Sequence, residues 1–139
     1  MTRPPPGLIY RGMRTDLLAW QWQAYSTNHQ DRRNLVLHIV TVPVFIAGLA
    51  TGIAGPILGP WWLALAGLGG MVSALAAQGR GHRGERTAPI PFAGGGDFVT
   101  RFLAEQLVSF PRFVLSGGWL RAWRATTGGR DAERGGERR

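Results

Sequence analysis

Residues 35–79 read LVLHIVTVPVFIAGLATGIAGPILGPWWLALAGLGGMVSALAAQG, 45 consecutive positions without one Arg, Lys, Asp or Glu. A bilayer-crossing helix takes about 20 predominantly apolar residues, so the stretch holds two such helices and a turn. The turn is marked by Gly55-Pro56-Ile57-Leu58-Gly59-Pro60, two glycines and two prolines midway along the stretch. Spans are expected over 35–54 and 61–78, with Trp61 and Trp62 where an interfacial aromatic belt belongs. The fold class is therefore all-α: a small integral membrane protein built on a transmembrane hairpin, with flanking amphipathic or interfacial helices. The competing reading, a hairpin buried in a soluble domain, needs more covering chain than so small a protein supplies.

The rest of the chain is consistent with that reading. At 139 residues it is expected to form one membrane-embedded domain, 1–125, followed by a disordered tail, 126–139. The absence of cysteine excludes disulfides, thiolate metal sites and cysteine nucleophiles. The net charge is +8, and all sixteen basic residues are arginine. Arg32 and Arg33 precede the first span, Arg80, Arg83 and Arg86 follow the second, and the turn carries no charge. By the positive-inside rule both hairpin ends are cytoplasmic, as in a bacterial inner membrane protein. The start, Met-Thr-Arg-Pro-Pro-Pro, has no apolar run of the kind a cleaved signal peptide carries.

Thr15 to His29 has the pattern of an amphipathic helix, with Thr15 as candidate N-cap and a stripe of Leu18, Trp22, Tyr25 and His29. Between Asp97 and Trp123 lies a second apolar region, interrupted by Arg101, Glu105 and Arg112 and expected to split at Pro111. Those charges suit an interfacial helix or one packed on the hairpin better than a lipid-facing span. The tail alternates Gly, Arg and acidic residues. An RNA-binding role is disfavoured because its acids nearly cancel its arginines and no aromatic is interleaved; no nucleic-acid partner is expected.

Polar residues within membrane segments are costly and usually functional. Each of the three histidines, His29, His38 and His82, has polar companions set against apolar chain. Asn34 and His38 are four residues apart and share a helix face. Gln78, His82 and Glu85 share another if the second helix continues past Gly79. Counted from the turn centre, Asn34 lies about 23.5 residues before and His82 about 24.5 after, a difference in depth of about 1.5 Å. His38 comes level with Gln78 in the same way. Nine residues separate His29 from His38, which in an unbroken helix places them on opposite sides. A bend in Gln30-Asp31-Arg32-Arg33 would return His29 to the others. Three imidazoles, with Glu85 nearby, make a site suited to iron, zinc or copper.

At these residues the chain resembles a known family. His29-x4-Asn34-x3-His38-x4-Pro43, preceded by Tyr25, and Gln78-x2-Gly81-His82-x2-Glu85-x3-Pro89 after the hairpin are similar to the two signature blocks of the small membrane dioxygenases of fatty acid α-oxidation. The founding member of that family is named for the metabolism of phytosphingosine to odd-numbered fatty acids, and the resemblance covers about half of the chain. It implies an Fe(II)-dependent enzyme that uses O₂ to shorten a 2-hydroxy fatty acid by one carbon, with His29, His38 and His82 as iron ligands. Glu85 would orient a histidine, with Asn34 and Gln78 beside it. Arg80, Arg83 or Arg86, together with Tyr25, are the candidates for holding the substrate, whose acyl chain would lie along the hairpin. The same arginines equally suit a purely anchoring role. The alternative function is a non-catalytic membrane scaffold whose polar cluster satisfies groups buried between helices. A hydrolase is disfavoured because no serine sits in a nucleophile-elbow context, and a di-iron desaturase because three histidines are too few.

Overall fold

The computed structural model describes residues 15–126, and within them the protein is helical with no strand. The proline-rich start and, apart from Thr126, the tail lie outside the described residues. Helix α1 is Leu17–Tyr25, α2 Arg32–Leu58, α3 Trp62–His82, α4 Gly95–Ala104 and α5 Phe110–Leu115. A π-helical turn, Glu105–Ser109, joins α4 to α5, and residues 118–126 form a last helical stretch.

Both α2 and α3 are long and apolar enough to cross a membrane. Only 22% of the most apolar window of α2 and 17% of that of α3 are buried, leaving Val40, Val44, Ile53, Leu65, Leu68 and Val72 exposed. The core helix of a soluble protein would hide these side chains; a helix bathed in lipid has no reason to. The hairpin is tighter than its sequence suggests. α2 continues through Gly55 and Pro56 to Leu58, and the reversal is confined to Gly59 and the two residues after it. Gly55 makes this possible by lying against Leu63 and Ala64, where a β-carbon would come within 2.9 Å of Leu63. Midway, Gly48 and Gly67 face each other so closely that a β-carbon on either would stand 2.6 or 2.5 Å from the other's carbonyl oxygen, the small-residue contact that lets membrane helices pack backbone to backbone.

α3 runs past the expected end at 78 to His82 despite Gly79 and Gly81. Gly81 has to be glycine because Asn34 Oδ1 lies 2.5 Å from where its β-carbon would be. α1 is shorter than expected, ending at Tyr25 with Asp16 rather than Thr15 at its N-cap. The chain breaks at Ser26–Asp31, overlapping the expected bend at Gln30 and Asp31 but beginning earlier, and Asp31 starts the new helix by accepting the backbone N–H of Arg33 (2.8 Å) and Asn34 (3.1 Å). Pro111 does not split the C-terminal region either. The π-helical turn before it, closed by Phe110 N–H on the Glu105 carbonyl, absorbs the proline within a continuous helix. The break comes at Gly117, in the left-handed conformation at φ 73°.

The apolar core, Tyr25, Leu35, Val42, Phe110 and Phe113, gathers α1, α2 and α5 at the hairpin end that carries Arg32 and His82. Trp119 secures the last helical stretch there by donating its indole N–H to the Leu35 carbonyl (3.0 Å).

Gly67→Val is expected to destabilise the hairpin by about 1–3 kcal/mol, as overpacking does. Gly69→Ala, with nothing within 4 Å of its β-carbon, should be neutral. Thermal unfolding in a mild detergent checks both.

Candidate metal centre

The helix break before Asp31 places His29 on a short irregular link, beside the first turns of α2 and the last turn of α3. Three imidazoles meet there. Ring centroids lie 4.8 Å apart for His29 and His38, 4.9 Å for His38 and His82 and 5.3 Å for His29 and His82. The fourth member is Glu105, from the π-helical turn. Its Oε1 lies 3.4 Å from His29 Nε2, 3.5 Å from His38 Nε2 and 3.9 Å from His82 Nε2. One ligating atom from each residue falls within 4.8 Å of the others.

Two of the rings have defined tautomers. His29 Nδ1 is 2.9 Å from the Tyr25 carbonyl oxygen and His38 Nδ1 3.0 Å from that of Asn34. A carbonyl only accepts, so both Nδ1 atoms carry the proton and both Nε2 atoms present lone pairs to the centre. Both Nε2 atoms are buried without a hydrogen-bond partner. His82, whose Nδ1 faces Asn34 Nδ2 at 3.5 Å, is the least constrained ring, with 20% of its side chain exposed.

Burial pushes the Glu105 carboxyl up, but hydrogen bonding and charge from His29 and His38 in their protonated form outweigh it and hold the group well below the ordinary carboxylate value. Burial, reinforced by the Glu105 charge, raises the Tyr25 phenol well above 10, so Tyr25 keeps its proton and donates it to Glu105 Oε1 (3.2 Å). With those imidazoles neutral, lone pairs and a carboxylate converge with one O–H among them. The set could hold a divalent cation, and imidazole with carboxylate suits iron, zinc, manganese or copper.

The surrounding residues hold the four in place. Glu85 does not reach the centre. It accepts the backbone N–H of Gln30 (2.9 Å) and Asp31 (3.0 Å) and the Asn34 amide (2.7 Å), pinning the link that carries His29 and the residue whose carbonyl orients His38. Gln78 pairs reciprocally with Gln106, donating at 3.0 Å and accepting at 2.6 Å, and also donates to Thr41 Oγ (2.9 Å). Gln106 adjoins Glu105, so this pair fixes the π-helical turn against both long helices.

A cavity of about 280 Å³ opens on the centre, with His29, His82, Gln78 and Glu105 at one side and Leu75, Ile90, Phe92, Phe98 and Phe102 among its apolar walls. Tyr25 lines it, but Arg80, Arg83 and Arg86 do not. Arg80 folds back on the Ala76 carbonyl (3.4 Å), and Arg86 lines a different cavity. The one arginine of the wall is Arg101. It packs over Trp20 and Phe92 and donates to the Ile90 and Pro91 carbonyls and to Asp97, which ties the 89–92 segment over the cavity.

No family model matches the chain, and neither do any curated proteins or solved structures.

Glu105, Gln106, Thr41 and Arg101 are the site residues that sequence reasoning passed over. Glu105 carries the same signal as the histidines, a polar residue in an apolar segment, but its surroundings suit an interfacial helix as well as one packed on the hairpin. Nothing in the sequence shows that the π-helical turn aims it inward.

Chelator-stripped protein reloaded anaerobically with Fe(II) is expected to bind one ion per chain, read by elemental analysis. His38→Ala should abolish binding and Glu105→Gln weaken it most among shape-conserving changes. Glu85→Gln, acting through Asn34 and the link, should cost about 10- to 100-fold in affinity.

Proposed function

We propose that the chain is an integral membrane dioxygenase, dependent on Fe(II), that shortens 2-hydroxy fatty acids by one carbon. The observation that carries this reading is the convergence of His29, His38, His82 and Glu105 beside an apolar cavity. Two buried imidazole nitrogens there have no hydrogen-bond partner of good geometry and stand 3.4 and 3.5 Å from the Glu105 carboxylate, an arrangement that a metal ion would complete. The paired sequence blocks around His29–Pro43 and Gln78–Pro89 supply the reaction class and the choice of iron. The membrane is taken to be a bacterial inner membrane, with both hairpin ends cytoplasmic, from the arginines that flank the spans.

His29, His38, His82 and Glu105 would hold the iron, and when bound it supplies the redox chemistry that lets O₂ react with the substrate. The overall change, a 2-hydroxy acid plus O₂ to the acid one carbon shorter plus CO₂ and water, balances without an external reductant. The chain's own residues do the positioning. The Tyr25 and Asn34 carbonyls set two imidazoles, Tyr25 Oη steadies the Glu105 carboxylate, and the phenylalanines of the cavity exclude water around the acyl chain. The 280 Å³ cavity accommodates only part of a long acyl chain, so the remainder extends toward the lipid. Arg101 takes the place of Arg80, Arg83 and Arg86 as the cation nearest the substrate carboxylate, since it alone among these lines the cavity.

Iron-loaded wild type is expected to consume O₂ with a long-chain 2-hydroxy acid and release the chain-shortened acid, and His82→Ala to lose both while still inserting in the membrane. Oxygen uptake with product analysis by mass spectrometry decides it. Iron-loaded protein that consumes no oxygen with any such acid would leave the scaffold reading.

Because the chain has no cysteine, single cysteines at Gly59 and Arg83 report topology without background. Gly59→Cys should be labelled from the outer side alone and Arg83→Cys from the inner side alone.

A further inference from the structure

A second cavity, of about 660 Å³, lies on the other side of Tyr25 from the metal centre. Its walls include the aromatic rings of Trp22, Tyr25 and Phe113, the polar Gln30, and two arginines, Arg86 and Arg121; no acidic residue lines it. Arg86 makes no hydrogen bond or ion pair with the described residues, and Arg121 spends one donor on the Ser116 carbonyl (3.0 Å). Arg112, stacked over the Trp22 ring at 4.1 Å, adds a third positive charge beside the opening. Among the described residues no acidic side chain pairs with Arg86, Arg112 or Arg121.

We propose that this cavity binds a phosphate group. Guanidinium presents paired N–H donors that match phosphate oxygens, and two such groups with no competing carboxylate form a site for a tetrahedral oxyanion. The aromatic wall receives the apolar or planar part to which the phosphate is attached. The location favours a membrane source: Gln30 and Arg86 adjoin the hairpin ends at Arg32 and His82, where headgroup phosphates stand if the hairpin spans the bilayer. Soluble phosphate esters carry the same chemistry. The site does not use the iron ligands, and its fate is separate from that of the dioxygenase reading.

The full chain in uncharged detergent, at about 0.15 M salt to suppress diffuse attraction, is titrated with dihexanoyl-phosphatidylglycerol, with uncharged dihexanoylglycerol and with inorganic phosphate, and binding is read by calorimetry. The phosphatidylglycerol is expected to bind and the dihexanoylglycerol not. Arg86→Gln/Arg121→Gln should weaken binding by about tenfold or more, as loss of charge-assisted contacts does, with iron content unchanged. Arg86→Gln alone, which removes no intramolecular contact, should show part of the loss. Equal affinity for inorganic phosphate assigns the site to soluble phosphate esters; preference for the lipid assigns it to headgroups. The proposal is overturned if neither phosphate compound binds, or if Arg33→Gln/Arg80→Gln, the same charge removed outside the cavity, weakens binding as much.

Discussion

Lone pairs that face one another across a few ångströms of buried space repel unless a cation joins them. His29, His38 and Glu105 are held in that relation, with His82 beside them. Much of the fold makes sense as the means of holding them there. Two backbone carbonyls turn two rings inward, a capping aspartate breaks the chain so that His29 can reach, and a buried phenol steadies the carboxylate. Each holds a ligand by a contact that the ligand could not make alone.

The reciprocal Gln78–Gln106 pair shows how the centre and the fold depend on each other. Two amides bonded to each other, with Thr41 accepting the second donor of Gln78, lock three chain segments at one level. The π-helical turn is the less stable choice for a backbone, and such turns recur at functional sites because they re-aim a side chain. Here the same turn also takes up the proline at 111.

Two cavities of different character meet at Tyr25. One is mostly apolar and leads to the candidate metal centre; the other is lined by Arg86 and Arg121 with no acidic residue in its wall.

Forty-five uncharged residues determined the hairpin, and the Gly-Pro turn its midpoint, because apolar length and backbone restriction are properties of the residues themselves. The depth count matched the level at which Asn34 meets Gly81 and His82, since helix rise is constant and an antiparallel pair preserves it. The histidines announced themselves by polarity in apolar surroundings. Where α1 ends, how α2 carries Pro56, and where the C-terminal region breaks were decided by capping and close packing across the chain. Glu105 lay furthest from what could be read. Its neighbours in sequence suit an interfacial helix or one packed on the hairpin, and only packing against α1, α2 and α3, through a turn wound one residue wider than an α-helix, aims its carboxylate at three imidazoles from elsewhere in the chain.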